Sequence, residues 1–411
     1  MEATLDQLRQ WIIEKSITTF IVVPVLGYSS WLALRCLSGL LLKGWRFILS
    51  RRRALQAVAR EINDKGAYEG KGVWLTTPVD QPANYWRSVT NSRTLAIANL
   101  KGGVGKTTLA ANIGAYLAKD WQKRVLLIDL DFQGSLSSMA FPGKDWLPAA
   151  NESSLATRLI SGDIVPGDVR LLAPKVGLGT DDGPTGQLQV ITAYYDLAQA
   201  DNRVMVEWLL QSTDYSPEDL RHTIVERLKG KLPQAPDVRY TLAKVLHSDA
   251  VQRSFDLIII DCPPRLTTSK IQAFCASSHL LIPTIFDRTS TEAVVSLCEQ
   301  VETLKSANVC PHLEYIGVVG TMCRSGRVAQ AEAMRFVQDA LANGPTSILT
   351  EKTFVPHSAA LVNDAADGIA YIAMPNRQDR QQIRSAIADL AEHVANQMGI
   401  PHPASFYQAA E

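Results

Sequence analysis

The chain has 411 residues, with 41 Lys+Arg against 41 Asp+Glu, 46% hydrophobic residues and 20% charged ones. These values exclude a disordered, collagen-like or strongly basic nucleic-acid-coating protein, and the length suffices for one large α/β domain with appendages. The six cysteines, Cys36, Cys262, Cys275, Cys298, Cys310 and Cys323, form no C-x-x-C pair, and the histidines do not cluster beside them. Reduced cytosolic thiols are expected, and a zinc site is not. Charge is uneven along the chain: residues 1–93 carry 13 Lys/Arg against 7 Asp/Glu, so the front is +6 and the remainder −6. Positive charge for meeting phosphate is therefore concentrated near the N-terminus.

From Ser16 to Leu34 there is no charged residue, and Arg35 is the only one before Lys43. A helix over residues 17–42 would extend about 39 Å, against about 30 Å of bilayer hydrocarbon, which makes 1–50 a candidate transmembrane segment. A cleaved signal peptide does not fit, because Glu2, Asp6 and Glu14 precede a run that is too long and lacks an A-x-A site. Arg35 directly before Cys36 also argues against a lipoprotein site. The alternative is a packed helical pair in a soluble protein, for which Arg35, Ser29, Ser30 and Ser38 speak. Arg9 and Lys15 precede the run, while Lys43, Arg46, Arg51, Arg52, Arg53 and Arg60 follow it. That asymmetry predicts a single-pass inner-membrane protein with its body in the cytoplasm.

Residues 51–92 read as a basic juxtamembrane helix and a connector. Leu55, Val58, Ala59 and Ile62 recur at helical spacing behind the arginines, which suits a helix resting on anionic lipid or a solvated linker. The Gly/Pro/Asn/Thr-rich stretch 64–92 is expected to hold one short strand at Gly72–Thr76. Tyr85 and Trp86 are expected in core or interface packing rather than over a nucleotide base.

Residues 94–99, TLAIAN, form a short apolar run suited to a buried parallel strand, and lead into LKGGVGKTTLAANIGAYLAK. Strand, glycine loop and helix stand in the order of a phosphate-binding loop. Gly102, Gly103 and Gly105 let backbone N–H groups turn inward, Lys106 brings charge to terminal phosphates, and Thr107 offers a hydroxyl to Mg²⁺. The predicted nucleotide contacts run from Gly102 through Val104 to Thr107 and Thr108. Leu109, Ala110, Ile113 and Leu117 then recur at helical spacing.

Two further apolar runs end in carboxylates: RVLLID leads into Asp129-Leu130-Asp131, and FDLIIID ends in Asp261 before Cys262-Pro263-Pro264. Ligands of an open α/β sheet bind at the C-terminal strand ends, so Asp129, Asp131 and Asp261 are expected to converge on the metal and terminal phosphate. The fold class is α/β: a doubly wound, mostly parallel sheet with helices on both faces.

With these motifs in view, the chain resembles the ParA/MinD family of deviant P-loop ATPases. The matches are KGGVGKTT at 101–108, IDLDFQG at 128–134 and FDLIIIDCPP at 255–264, with weaker ones at 280–294, 316–322 and 353–368. The resemblance covers about 94–399 and leaves out residues 1–90. It implies an ATP-dependent sandwich homodimer in which Lys101 reaches the partner subunit's phosphates while Lys106 binds its own. It further implies that Thr107 and Asp261 hold Mg²⁺, that Asp129 supports the metal's water shell, and that Asp131 orients the attacking water. Hydrolysis would dissolve the dimer. Phe132 stands where proline is common in the family, and His357 where arginine is frequent. The second departure weighs against DNA binding, because that late loop is one from which ParA-type dimers contact the nucleoid.

The ATPase domain is placed at 93–400, with an insertion at about 142–254 that carries an amphipathic helix over 201–211, and a tail at 401–411. Another amphipathic helix is expected near the end, led by Arg377, Arg380 and Arg384, which read as part of a solvated face balanced by Asp379, Asp389 and Glu392, or as a DNA or lipid contact. The function expected is a membrane-tethered ATPase that recruits or positions an unidentified partner complex according to nucleotide state. The alternatives are a partition ATPase that binds DNA non-specifically and an ATPase of a defence operon. A polysaccharide-export tyrosine kinase would carry a terminal tyrosine cluster, and only Tyr407 lies near the end.

Overall fold

Strands whose two faces are both covered need apolar residues at consecutive positions, and the runs TLAI, RVLLID and LIIID supply them. In the computed structural model eight strands are found among the described residues, which are 72–75, 78, 81–82 and, with breaks, 85–402, together with Gln7 and Gln10. The longest breaks are 180–185, 213–235 and 362–366. Apart from Gln7 and Gln10, the segment 1–50 lies outside this set, as do the basic stretch after it, the tail beyond 402 and Arg377. The strands are β1 (Thr94–Ile97), β2 (Arg124–Asp129), β3 (Lys175–Val176), β4 (Gln187–Ile191), β5 (Leu257–Asp261), β6 (His279–Thr284), β7 (Glu314–Cys323) and β8 (Val355–Pro356). They form one sheet in the order β3-β4-β2-β5-β1-β6-β7-β8. All neighbours are parallel except β3 and β4. The elements belong to one compact unit, 61–211 with 234–411; a second, 1–60 with 212–233, lies almost entirely outside the described residues.

Side-chain alternation sends Leu126 and Ile128 of β2 into one core and Val125 and Leu127 into another. The helices are α1 (Tyr85–Asn91), α2 (Lys106–Lys119), α3 (Ser135–Ala140), α4 (Leu155–Ser161), α5 (Asp196–Ser212), α6 (Thr241–Leu246), α7 (Thr268–Ala276), α8 (Arg288–Ser306), α9 (Val328–Leu341) and α10 (Gln381–Gln397), with a six-residue helix at Asp249–Ser254 and shorter turns between them. Helices α2 and α10 cover one face through Ile113, Leu117, Ile387 and Leu390. Helices α4, α6, α7 and α8 cover the other through Leu159, Leu242, Phe274 and Leu297. Helix α2 approaches the sheet closely because residue 114 is glycine: a Cβ there would lie 2.7 Å from Leu127 Cδ2.

Three expectations change. Residues Gly72–Leu75 form a 3₁₀ turn, not a strand. Trp74 stacks on Trp208 with centroids 6.2 Å apart, and its carbonyl accepts from Arg239 Nη1 at 2.9 Å, so the turn is anchored by side chains rather than by a ladder. The stretch 142–254 is in large part built into the domain: β4 pairs with β2, and α4 and α6 supply core residues. At the chain's end Arg384 is not a solvated charge, since its guanidinium lies 4.4 Å from the centroid of the Tyr371 ring and donates to Tyr371 O at 3.3 Å. Tyr85 is buried in the core, as expected. Among the described residues no helix is long and apolar enough to cross a membrane; the run at 16–42 lies outside them.

Candidate functional site

The loop between β1 and α2 turns through Gly103 (φ 74°) and Gly105 (φ 88°), a left-handed backbone that glycine adopts without steric cost. Gly105 is also the N-cap of α2, where its carbonyl accepts the first helical bond from Leu109 N at 2.9 Å. A Cβ on Gly102 or Gly103 would meet nothing within 4 Å, so the loop's rim is open, while Val104 just after them is buried. An open rim of glycine backbone ahead of a helix N-terminus is a cradle for an anion. Lys106 is buried and donates from Nζ to the Lys101 carbonyl of the same loop at 2.9 Å. Burial lowers its pKa, and the charges of Asp261 and Asp131 oppose that shift.

Parallel pairing sets Asp129 beside Asp261 in register at the C-terminal ends of β2 and β5. Asp261 Oδ2 accepts from Thr107 Oγ1 at 2.7 Å, while its Oδ1 is buried with no hydrogen-bond partner among the described residues. Burial and the neighbouring Asp129 hold the Asp261 carboxyl well above its ordinary pKa. Asp129 is likewise buried, accepting from Ser137 N at 2.9 Å, Ser137 Oγ at 2.8 Å and Asp131 N at 3.1 Å. Burial lifts it to about 7 against those bonds. Asp131 lies further out, its Oδ1 accepting from Gln133 N at 3.1 Å. The loop, Thr107 and the three aspartates are thus brought to one edge of the sheet.

These residues fit a nucleotide with a divalent cation. Two buried carboxyls stay raised despite the charge of Lys106, one of them with an unpartnered oxygen, and Mg²⁺ would supply further positive charge while taking most of its ligands from water and phosphate. Among the described residues no group of three or more His, Cys, Asp or Glu could hold a metal by itself. A cation here would therefore rest on Thr107, Asp261 and the phosphates.

Lys101 sits apart from this set. Its Nζ contacts Asp287 Oδ1 at 3.1 Å, Asp287 Oδ2 at 3.3 Å and Thr289 Oγ1 at 2.5 Å. Asp287 also N-caps α8, accepting from Ser290 N at 2.7 Å. Sequence reading missed Asp287, Thr289, Ser137 and Thr321, whose Oγ1 donates to Val104 O at 2.9 Å and so ties β7 to the loop. An aspartate three residues before a serine at a helix start was a legible capping signal at Asp287; its pairing with Lys101 was not. A cavity of about 890 Å³ opens beside this point, lined among others by Phe286, Asp287, Met322, Arg324 and His357.

A glycine loop feeding a helix, flanked by paired strand-end carboxylates on a parallel sheet, defines a P-loop nucleotide-binding domain. The chain belongs to the CobQ/CobB/MinD/ParA nucleotide binding domain family (CbiA), whose model matches residues 95–370. It is 30% identical over 233 residues to the chromosome partitioning protein ParA of Caulobacter vibrioides, covering 56% of this chain and 69% of that one. The sporulation initiation inhibitor protein Soj of Bacillus subtilis is 25% identical over 305 residues, covering 73% and 97%. Among solved structures, pnob8 ParA matches with a TM-score of 0.53 at 20% identity, covering 75% of this chain and 99% of that one. The ATP complex of McdA from Cyanothece matches at 0.52 and 19%, covering 76% and 98%. These two likenesses speak for the fold.

Proposed function

We propose that this protein is a ParA/MinD-type ATPase that binds ATP with Mg²⁺, dimerises on it and hydrolyses it, switching the recruitment or positioning of a partner complex. The observation that carries this reading is the contact of Thr107 with Asp261, beside Asp129, at the mouth of the glycine loop. Thr107 and Asp261 would hold the cation, which when bound neutralises charge on the phosphate oxygens. Lys106 would turn from the Lys101 carbonyl to meet the phosphates, and Asp131 would orient a water molecule. Phosphoryl transfer depends mainly on positioned charge, and this edge supplies it. Family membership and the ATP bound to McdA support the choice of nucleotide.

The uncharged run 16–34 and the arginines behind it support tethering of residues 1–50 in the inner membrane, with the ATPase domain in the cytoplasm. A second reading, a partition ATPase that binds DNA non-specifically, is favoured by relatives named as chromosome partitioning proteins. The net charge of −6 over residues 94–411 and His357 in place of an arginine weigh against it.

The test compares wild type with Asp131→Ala for Mg²⁺-dependent hydrolysis and for mass by light scattering in ATP and in ADP. Wild type should hydrolyse ATP, and the variant should accumulate as a dimer in ATP with hydrolysis slowed by at least about 100-fold. A monomer in ATP that releases no phosphate would refute the proposal.

A further inference from the structure

The residues assigned to nucleotide binding leave one buried cation near the site unused. Lys270, in the first turns of α7, is fully buried. Its Nζ lies 5.9 Å from the centroid of the Phe274 ring and 3.4 Å from the carbonyl oxygen of Asn99. Asn99 is where β1 becomes the glycine loop. It is itself buried, donating from Nδ2 to Pro283 O at 2.7 Å and accepting on Oδ1 from Lys101 N at 3.0 Å. The Lys270 amine therefore stands behind the root of the loop, in contact with the residue that fixes the loop's first turn.

Among the described residues no counter-charge meets it there. The ionisable groups that act on it are Cys262, just past β5, and Lys106, at the head of α2. Burial pushes the Cys262 thiol up to about 12, which leaves it neutral, and Lys106 is a like charge. Asp201 of α5 also reaches α7, but it is taken up by Ser269 N at 2.7 Å and Ser269 Oγ at 3.0 Å. Burial accordingly drives the proton off Lys270, whose pKa falls to about 7. A methionine would fill the same space without the cost of burying an amine.

We propose that Lys270 is a positioning residue for the phosphate loop: its amine takes up a proton when nucleotide phosphates enter the loop, and the ammonium so formed holds Asn99 and adds its charge behind the anion. The proposal rests on the nucleotide reading above. The proton comes from solvent, and no bond of the nucleotide changes. The sign follows from linkage: binding raises the pKa of Lys270, so affinity is fully present below the free-state value of about 7 and declines as pH rises above it.

The experiment is calorimetry of ADP binding to the full chain in EDTA, which removes the protons that Mg²⁺ would displace from Asp129 and Asp261; their uptake on binding ADP is present in wild type and variants alike. At about pH 8 the ADP phosphates are fully ionised, and two buffers of different ionisation enthalpy read the protons taken up. Wild type should take up a substantial fraction of one proton per ADP. Lys270→Met and Lys270→Gln, the second keeping a donor for Asn99, should take up less by that fraction. Uptake by Lys106, whose charge acts on Lys270, is present in all three proteins, and the difference reads the change in the coupled pair. Both variants should bind ADP on the order of tenfold more weakly at about pH 7, lose the decline of affinity with pH, and melt no lower than wild type without nucleotide. Proton uptake and affinity equal to wild type in both variants would overturn the assignment, and so would loss of the fold in both, since a neutral side chain should relieve burial. A wild type that binds no ADP would instead overturn the nucleotide reading, and this inference with it.

Discussion

Lys106 and Lys101 belong to one loop yet answer to different charges: Lys106 is buried and turned to its own loop, while Lys101 is part-exposed and held by Asp287 and Thr289. A lysine so held cannot at the same time reach another subunit's phosphates, so the proposed dimerisation would have to break the pair. Its strength is not tuned by physiological pH. Burial pushes the Asp287 carboxyl up, but the Ser290 N–H and Lys101 pull it down to about 2, so the pair is intact above about pH 4 and is lost only as pH falls through about 2. Substitution is the lever that remains. Asp287→Asn keeps an acceptor for Ser290 and removes the charge that retains Lys101. It should lower the ATP concentration for half-maximal dimer formation several-fold, read by light scattering in the Asp131→Ala background. An unchanged midpoint would show that the pair does not compete with dimerisation.

Among the elements, the contact of α2 with β2 sets how deep the loop sits, because the helix that carries Lys106 and Thr107 is pressed onto the sheet at Gly114. Gly114→Ala would place a methyl carbon 2.7 Å from Leu127 Cδ2, forcing that side chain aside in a packed core. A loss of about 1–3 kcal/mol in chemical denaturation is expected, with the denaturant slope unchanged. This contact was not legible in the sequence, where Gly114 reads only as a weak spot in a helix. What was legible were the features with a local cause. The runs TLAI, RVLLID and LIIID announced buried strands, glycine spacing announced the loop, and Asp129 and Asp261 stood at strand ends. Strand order was not legible, because periodicity gives each strand its faces but not its neighbours. Placing β6 and β7 on the far side of β1 is what brings Asp287 to Lys101 and Thr321 to Val104, across 186 and 217 residues of chain. For the same reason the segment 142–254 looked inserted: β4 is too ordinary a run to reveal that it pairs with β2.

At the scale of the whole molecule, two expectations concern what the chain attaches to. Residues 1–50 fused to a soluble reporter should sediment with membranes and resist carbonate extraction; recovery in the soluble fraction would leave the packed helical pair as their reading. The other concerns a second copy of the chain. The edge that gathers Lys101, Asp131 and the glycine loop also exposes Phe132 and Tyr195, whose rings lie 6.3 Å apart. If two copies meet across this edge, each site needs its own Asp131 and the other subunit's Lys101. Lys101→Ala alone should bind ATP, because Lys106 and the glycine backbone remain, but should lose dimerisation and up to about 10³-fold in hydrolysis. Asp131→Ala alone should bind, dimerise and fail to turn over. Mixed together, the two inactive proteins should recover activity. In a heterodimer the subunit lacking Lys101 keeps its Asp131 and receives a lysine from its partner, whereas the other site has neither. One of the two sites in each mixed dimer is complete, so the recovered rate is expected to stay below about half that of wild type, on the premise that each complete site works independently. Recovery that rises and falls with the mixing ratio would place the lysine in trans. Full activity of Lys101→Ala on its own would mean that this lysine serves only Asp287 and Thr289.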